Sequence, residues 1–241
     1  MASPLSTQIV DDLEQNFFWS YISQWPAEIE LAELEISVTD FLNYLELDIY
    51  GINPYPPEKL INLYYGMSNQ SSGAGKNYFT FMLTNAEINN TGSMINLGII
   101  NHPDQYLFLG ENQVNLAIDS VGYESAVNMY KNAEIFSPYI NQTLEISSFS
   151  NHPLICSFGK EDFRNFIKDN MSSPPIGYSQ LSLVFRLGAT LYGGVDSNYK
   201  VQTPILITKD NSGLRLDAVN YVNQPFKFKG LDVGNLCPPN C

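Results

Sequence analysis

Apolar and polar positions follow two different rhythms along this chain. In the first part the spacing is helical. Val10, Leu13, Phe17, Tyr21 and Gln24 recur at steps of three and four, with Phe18, Ile22 and Trp25 widening the stripe. Ser3-Pro4 offers a start for that helix, since proline suits the first helical position, and Pro26 offers a stop. The next stretch, Ala27 to Tyr50, carries both signals. Leu34-Glu35-Ile36 alternates as a strand would, whereas Leu31, Leu34, Val38, Phe41 and Leu45 form a helical seam. Length favours the helix, with Gly51 available at its end. A short helix is expected from Pro57 to about Met67, after the rigid connection Asn53-Pro54-Tyr55-Pro56-Pro57.

From Asn77 onward the rhythm shortens to runs of β character separated by turn residues. Tyr78–Leu83 and Met94–Ile99 flank Asn89-Asn90-Thr91-Gly92, and Tyr106–Leu109 and Val114–Ile118 follow. Further runs lie at Leu144–Phe149, Leu154–Phe158 and Leu181–Leu191, with a late edge strand at Phe226–Lys229. Lys209-Asp210-Asn211-Ser212-Gly213 reads as the turn of a hairpin between Pro204–Thr208 and Leu214–Val222. Two helices interrupt the series, Glu124–Ala133 and Lys160–Asn170, the second with Phe163, Phe166 and Ile167 on one face.

These patterns predict an α+β protein. A helical N-terminal segment packs on a mainly antiparallel β body, sandwich-like or jelly-roll-like, with two short inserted helices. The expected division is an acidic helical segment at 1–67, a β-rich body at 77–235 and a Cys-Pro-Pro-Asn-Cys tail at 236–241, with the polar Ser68–Lys76 stretch as the boundary.

Charge changes this picture more than composition does. The formal charge is −13, and the first base is Lys59. Eleven acids precede it, so the N-terminal part is strongly acidic and the remainder nearly neutral. That balance argues against general nucleic-acid binding, which needs a basic surface. It also makes the acidic stretch a candidate docking surface for a basic protein partner, with Glu28, Glu30, Glu33, Glu35 and Asp40 as the candidate residues. With 44% hydrophobic and 13% aromatic residues the chain is globular, not disordered. No apolar run is long enough to span a membrane as a helix, and Met1–Thr7 has no signal-peptide pattern.

The candidate chemistry is sparse. Ser72-Gly73-Ala74-Gly75-Lys76-Asn77 misses the phosphate-loop pattern at both ends, with Gln70 in place of glycine and Asn77 in place of the hydroxyl residue. Both histidines sit in Asn-His-Pro, at 101–103 and 151–153. The same offset matches Phe108 with Phe158, Glu111 with Glu161 and Asn115 with Asn165, as a duplication would. His102 and His152 are therefore candidate metal or acid–base residues, although His-Pro is foremost a turn pair. Cys156 reads as a small core residue, and Cys237 with Cys241 as a candidate terminal disulfide. Four Asn-x-Ser/Thr sequons, including Asn170, are no more than chance supplies in an Asn-rich chain. No catalytic motif and no cofactor site is present. The expectation is a non-catalytic structural or interaction protein, an oligomer or a subunit of a larger assembly. A hydrolase using paired carboxylates and a sugar- or lipid-binding protein are the alternatives.

Overall fold

The computed structural model describes residues 11–12, 14–15, 29–30, 33–69, 77–110, 115–132, 155–172, 177–191 and 200–215. Among them are eleven strands: β1 (Ile29–Glu30), β2 (Leu34–Ser37), β3 (Lys59–Ser68), β4 (Asn77–Ile88), β5 (Met94–Gly98), β6 (Tyr106–Leu109), β7 (Asn115–Ile118), β8 (Ile155–Gly159), β9 (Ser182–Leu191), β10 (Lys200–Asp210) and β11 (Gly213–Arg215). Three α-helices accompany them, α1 (Val38–Tyr44), α2 (Ser120–Asn132) and α3 (Lys160–Ser172). The protein is α+β with a β-rich, mainly antiparallel body.

One sheet runs β7-β6-β4-β3-β8, with β5 and the parallel β1 also paired to β4; the other runs β11-β10-β9-β2. Their apolar faces meet in one core with α1 and α3. Phe81 of the first sheet lies 6.2 Å from Phe185 of the second, and Phe41 of α1 lies 5.1 Å from Phe163 of α3. Phe163, Phe166 and Ile167 are all buried on the face of α3 that their spacing marks out. Cys156 is buried in the same core.

A second apolar layer lies on the opposite face of the first sheet, under α2, and joins Tyr64, Met82, Phe108, Ala126 and Val127. Gly66 permits this close approach, because a Cβ there would come within 3.2 Å of the Ala126 methyl. The β4–β5 hairpin turns at Asn89, whose side-chain oxygen accepts from the amides of Thr91 and Ser93. A register shift between Asn85 and Ala86 then bends it over this same face. Asn96 of β5 thereby reaches across β4, accepting from Asn62 Nδ2 at 2.8 Å and donating to Tyr64 OH at 2.7 Å. Ser157 of β8 completes the chain by donating to Asn62 Oδ1, so the buried amide is satisfied.

One expected helix is replaced by a strand, and another is strand in its first part and helix only in its second. Residues Lys59–Ser68 form β3, not a helix, and pair with β4 on one side and β8 on the other. The reason is burial on both faces. A central strand between two apolar layers reads as a continuous apolar run, and alternation vanishes. In the Ala27–Tyr50 stretch, Leu34–Ser37 is β2, paired with β9, and the helix is confined to Val38–Tyr44. Ser37 makes the change of conformation, since its side chain caps the helix by accepting from the Asp40 amide at 3.0 Å. Ser68 and Asn77, on either side of the expected boundary stretch, end and begin two paired strands of one sheet. The sequon at Asn170 is closed as well, because that side chain is buried and bonded to Phe166 and Thr208. The expected strands at Leu144–Phe149 and Phe226–Lys229 fall outside the described residues.

Candidate functional site

After α1 the chain runs from Leu45 to Glu58 without regular structure before entering β3. Irregular connections of this length in a compact domain are uncommon unless they have a role or are disordered. This one is held in place by its own alternation. Leu45, Leu47 and Ile49 are buried, while Glu46, Asp48 and Tyr50 between them face solvent. The apolar side chains enter the core, and the acids are turned outward by the same period.

The second half of the loop is fastened from behind by α3. Arg164, nearly buried, donates from one guanidinium nitrogen to both Gly51 O (3.2 Å) and Asn53 O (2.8 Å), and from the other to Glu161 (2.7 Å). Its guanidinium carbon stands 5.2 Å from the centre of the Tyr55 ring. Tyr55 ties the two halves together: its hydroxyl accepts from the Asp48 amide (2.6 Å), and its own amide donates to Glu161 Oε2 (2.9 Å). Lys160, one turn before Arg164, donates to Leu45 O at 2.9 Å. Burial lowers its pKa, against the opposing field of Glu46. Prolines at 54, 56 and 57 remove further freedom.

The consequence is geometric. The two carbonyls drawn inward by Arg164 flank Ile52, whose side chain is 97% exposed. Tyr50, 68% exposed, stands beside it in edge contact with Tyr178, 5.8 Å between ring centres. A rigid loop thus presents an apolar tip to solvent. Along the same loop Glu46, Asp48 and Glu58 are exposed, and none of them forms an ion pair among the described residues.

The acids singled out from the sequence are placed differently. Glu33 and Glu35 both pair with Lys209, at 3.1 and 2.8 Å, and Glu33 also faces Arg186 at 3.7 Å. Glu14 pairs with the same arginine at 2.9 Å. Bases from β9 and β10 therefore neutralise this part of the acidic stretch. Asp40 lies in the first turn of α1 and accepts from Ser37 Oγ. Glu30 belongs to β1, and Glu28 is outside the described residues.

His102 sits exposed in a turn: its amide donates to Ile99 O and its carbonyl accepts from the Ile99 amide, at 2.9 and 3.0 Å. His152, Glu111, Cys237 and Cys241 lie outside the described residues, and Glu161 serves Arg164. Among the described residues no three His, Cys, Asp or Glu side chains are grouped to hold a metal ion. No helix there is long and apolar enough to cross a membrane.

No family model, curated protein or solved structure matches this chain.

Titration of Glu161 tests the setting of the loop. Burial alone would raise its pKa, but hydrogen bonds from Arg164 and the Tyr55 amide outweigh it and hold the carboxyl below its ordinary 4.5. A carboxyl depressed in the folded state contributes stability above its unfolded pKa, and that contribution fades as pH falls through the folded value. Stability of the natural chain should therefore drop below pH 4.5, and Glu161→Gln should flatten that part of the profile. Equal slopes for both proteins in acid denaturation would contradict the assignment.

Proposed function

We propose that this is a non-catalytic interaction protein, a subunit of a larger assembly that docks through the 45–58 loop. One observation carries the reading: Ile52 is almost wholly exposed while the carbonyls on either side of it are held by a nearly buried arginine. Desolvating a guanidinium is costly, and here its bonds fix a surface loop rather than a core. A tip fixed in advance loses little entropy on binding, which is where preorganised contacts gain affinity. Burying one isoleucine contributes roughly 1.5–3 kcal/mol, the scale of a single interface anchor. The two sheets that meet in one core support reading the scaffold as a sandwich.

The acids with charged or capping partners leave little support for a carboxylate hydrolase: Glu33, Glu35, Glu87 and Glu161 are in ion pairs, and Asp119 accepts from the Gly122 amide. Among the described residues, an open cleft between β7 and α2, lined by Phe108, Leu116, Ile118 and Met129, has a volume of about 130 Å³. That is well below the roughly 300–1,000 Å³ of ordinary small-molecule sites.

Ile52→Asp separates docking from folding. An exposed substitution should leave stability within about 0.5 kcal/mol. In extracts of cells that make the protein natively, the natural chain should elute in a complex well above its 27.1 kDa, and Ile52→Asp at the monomer mass. A natural chain already at monomer mass, or a variant still in the complex, would remove the proposal.

A further inference from the structure

The loop that carries Ile52 has charge of one sign only, and this bears on what it docks against. Between Leu45 and Glu58 there are three acids and no Lys, Arg or His. Asp48 is beside the tip, since a Cβ on Gly51 would come 2.9 Å from its Oδ2. Lys160 and Arg164 are on the inner side of the loop, buried and bonded to its carbonyls, and Lys59, next to Glu58, is paired with Glu87. The contrast with Glu33 and Glu35 is informative, because those acids are already matched by Lys209 and Arg186. The acids of the loop form no ion pair among the described residues, and Asp48 accepts only from the Tyr50 amide, at 2.9 Å.

Resting on the docking reading above, we infer that the surface receiving Ile52 is an apolar socket on another protein, rimmed by Lys or Arg. Closing a neutral apolar surface over the tip would strip water from the Asp48 carboxylate with no opposite charge in return, a cost that grows with burial. A basic rim replaces that water with charge-assisted contacts, and it steers encounter within the Debye length of about 8–10 Å. A second copy of the chain fits less well, because each copy carries −13 and the two would repel on approach.

A photoreactive amino acid in place of Ile52, expressed in cells that make the protein natively, reads the occupant directly. Three backgrounds are compared: the natural loop, Glu46→Gln/Asp48→Asn/Glu58→Gln, and the exposed acids elsewhere neutralised by Asp11→Asn/Asp12→Asn/Asp104→Asn. The inference expects a discrete protein adduct whose yield falls about tenfold when the loop acids are neutralised, and much less in the distant triple variant. The yield should also fall about tenfold in lysate raised to 0.5 M salt. The crosslinked surface should have Lys or Arg around the apolar contact. An adduct indifferent to the loop acids and to salt overturns the basic rim and leaves docking standing. An adduct between two copies of this chain does the same. Absence of any adduct overturns both readings.

Discussion

Replacing Arg164 by leucine is expected to destabilise the protein by about 3 kcal/mol and to release the 45–58 loop. The substitution keeps an apolar stem in the core but removes the donors that hold Gly51 O, Asn53 O and Glu161. Breaking a fully buried ion pair from one side costs roughly 3–5 kcal/mol, because the remaining charge stays desolvated. Here the lower end applies, since the Glu161 side chain is 30% exposed and water can reach it. Lysine should not rescue the loss. A single ammonium cannot reproduce a planar fork that contacts two carbonyls and a carboxylate at once. The double variant Arg164→Leu/Glu161→Gln should cost less than the sum of the single changes, because the second removes the charge that the first strands. Denaturant unfolding measures the stability and the coupling. A loss under about 1 kcal/mol would mean that the loop does not depend on the arginine.

Gly98→Ala should be at least as damaging, by about 3 kcal/mol or more, although it adds only one methyl group. Gly98 has φ +76°, where a side chain costs roughly 1–2 kcal/mol. The added Cβ would also stand 2.3 Å from His102 O and from Pro103 C and O. These are backbone atoms, tied down by the reciprocal bonds between Ile99 and His102, so relief requires the turn to open. His102→Ala is the control. Its exposed imidazole supports nothing in the turn, so the change should stay within about 0.5 kcal/mol. If the histidine change were the costly one, the Asn-His-Pro turn would have a role that its backbone bonds do not explain.

These two sites also show what was legible in the residues. Strand Tyr106–Leu109, helix α3 with its Phe163-Phe166-Ile167 face, and the hairpin through Asn211-Ser212 follow from period and turn chemistry. Such signals are local. Strand β3 was not legible, because burial on both faces erased its alternation. The stretch 34–45 was misread because Leu34, Val38, Phe41 and Leu45 keep one spacing across a strand and a helix that only Ser37 separates. In the loop, Leu45-Glu46-Leu47-Asp48-Ile49-Tyr50 alternates without forming a strand, a period-two pattern made by a core edge instead of a sheet.

The candidate site was half legible. The acidic stretch stood out by its lack of bases, but which acids remain free depends on Arg186 and Lys209, more than a hundred residues later. Lys160 and Arg164 carried a faint signal, two bases one turn apart on a helix, one of them between Phe163 and Phe166. Nothing in the local sequence says that they turn inward under a loop more than a hundred residues earlier.

Hydrogen exchange on the chain, free and in its native assembly, tests the docking loop most directly. The Asp48 and Tyr55 amides, bonded to the Tyr55 hydroxyl and to Glu161, should exchange slowly in both states. The Ile52 amide should exchange fast in the free chain and slowly in the assembly, where its side chain is covered. Fast exchange at Asp48 and Tyr55 in the free chain, or unchanged exchange at Ile52 in the assembly, would contradict a rigid loop that docks by its tip.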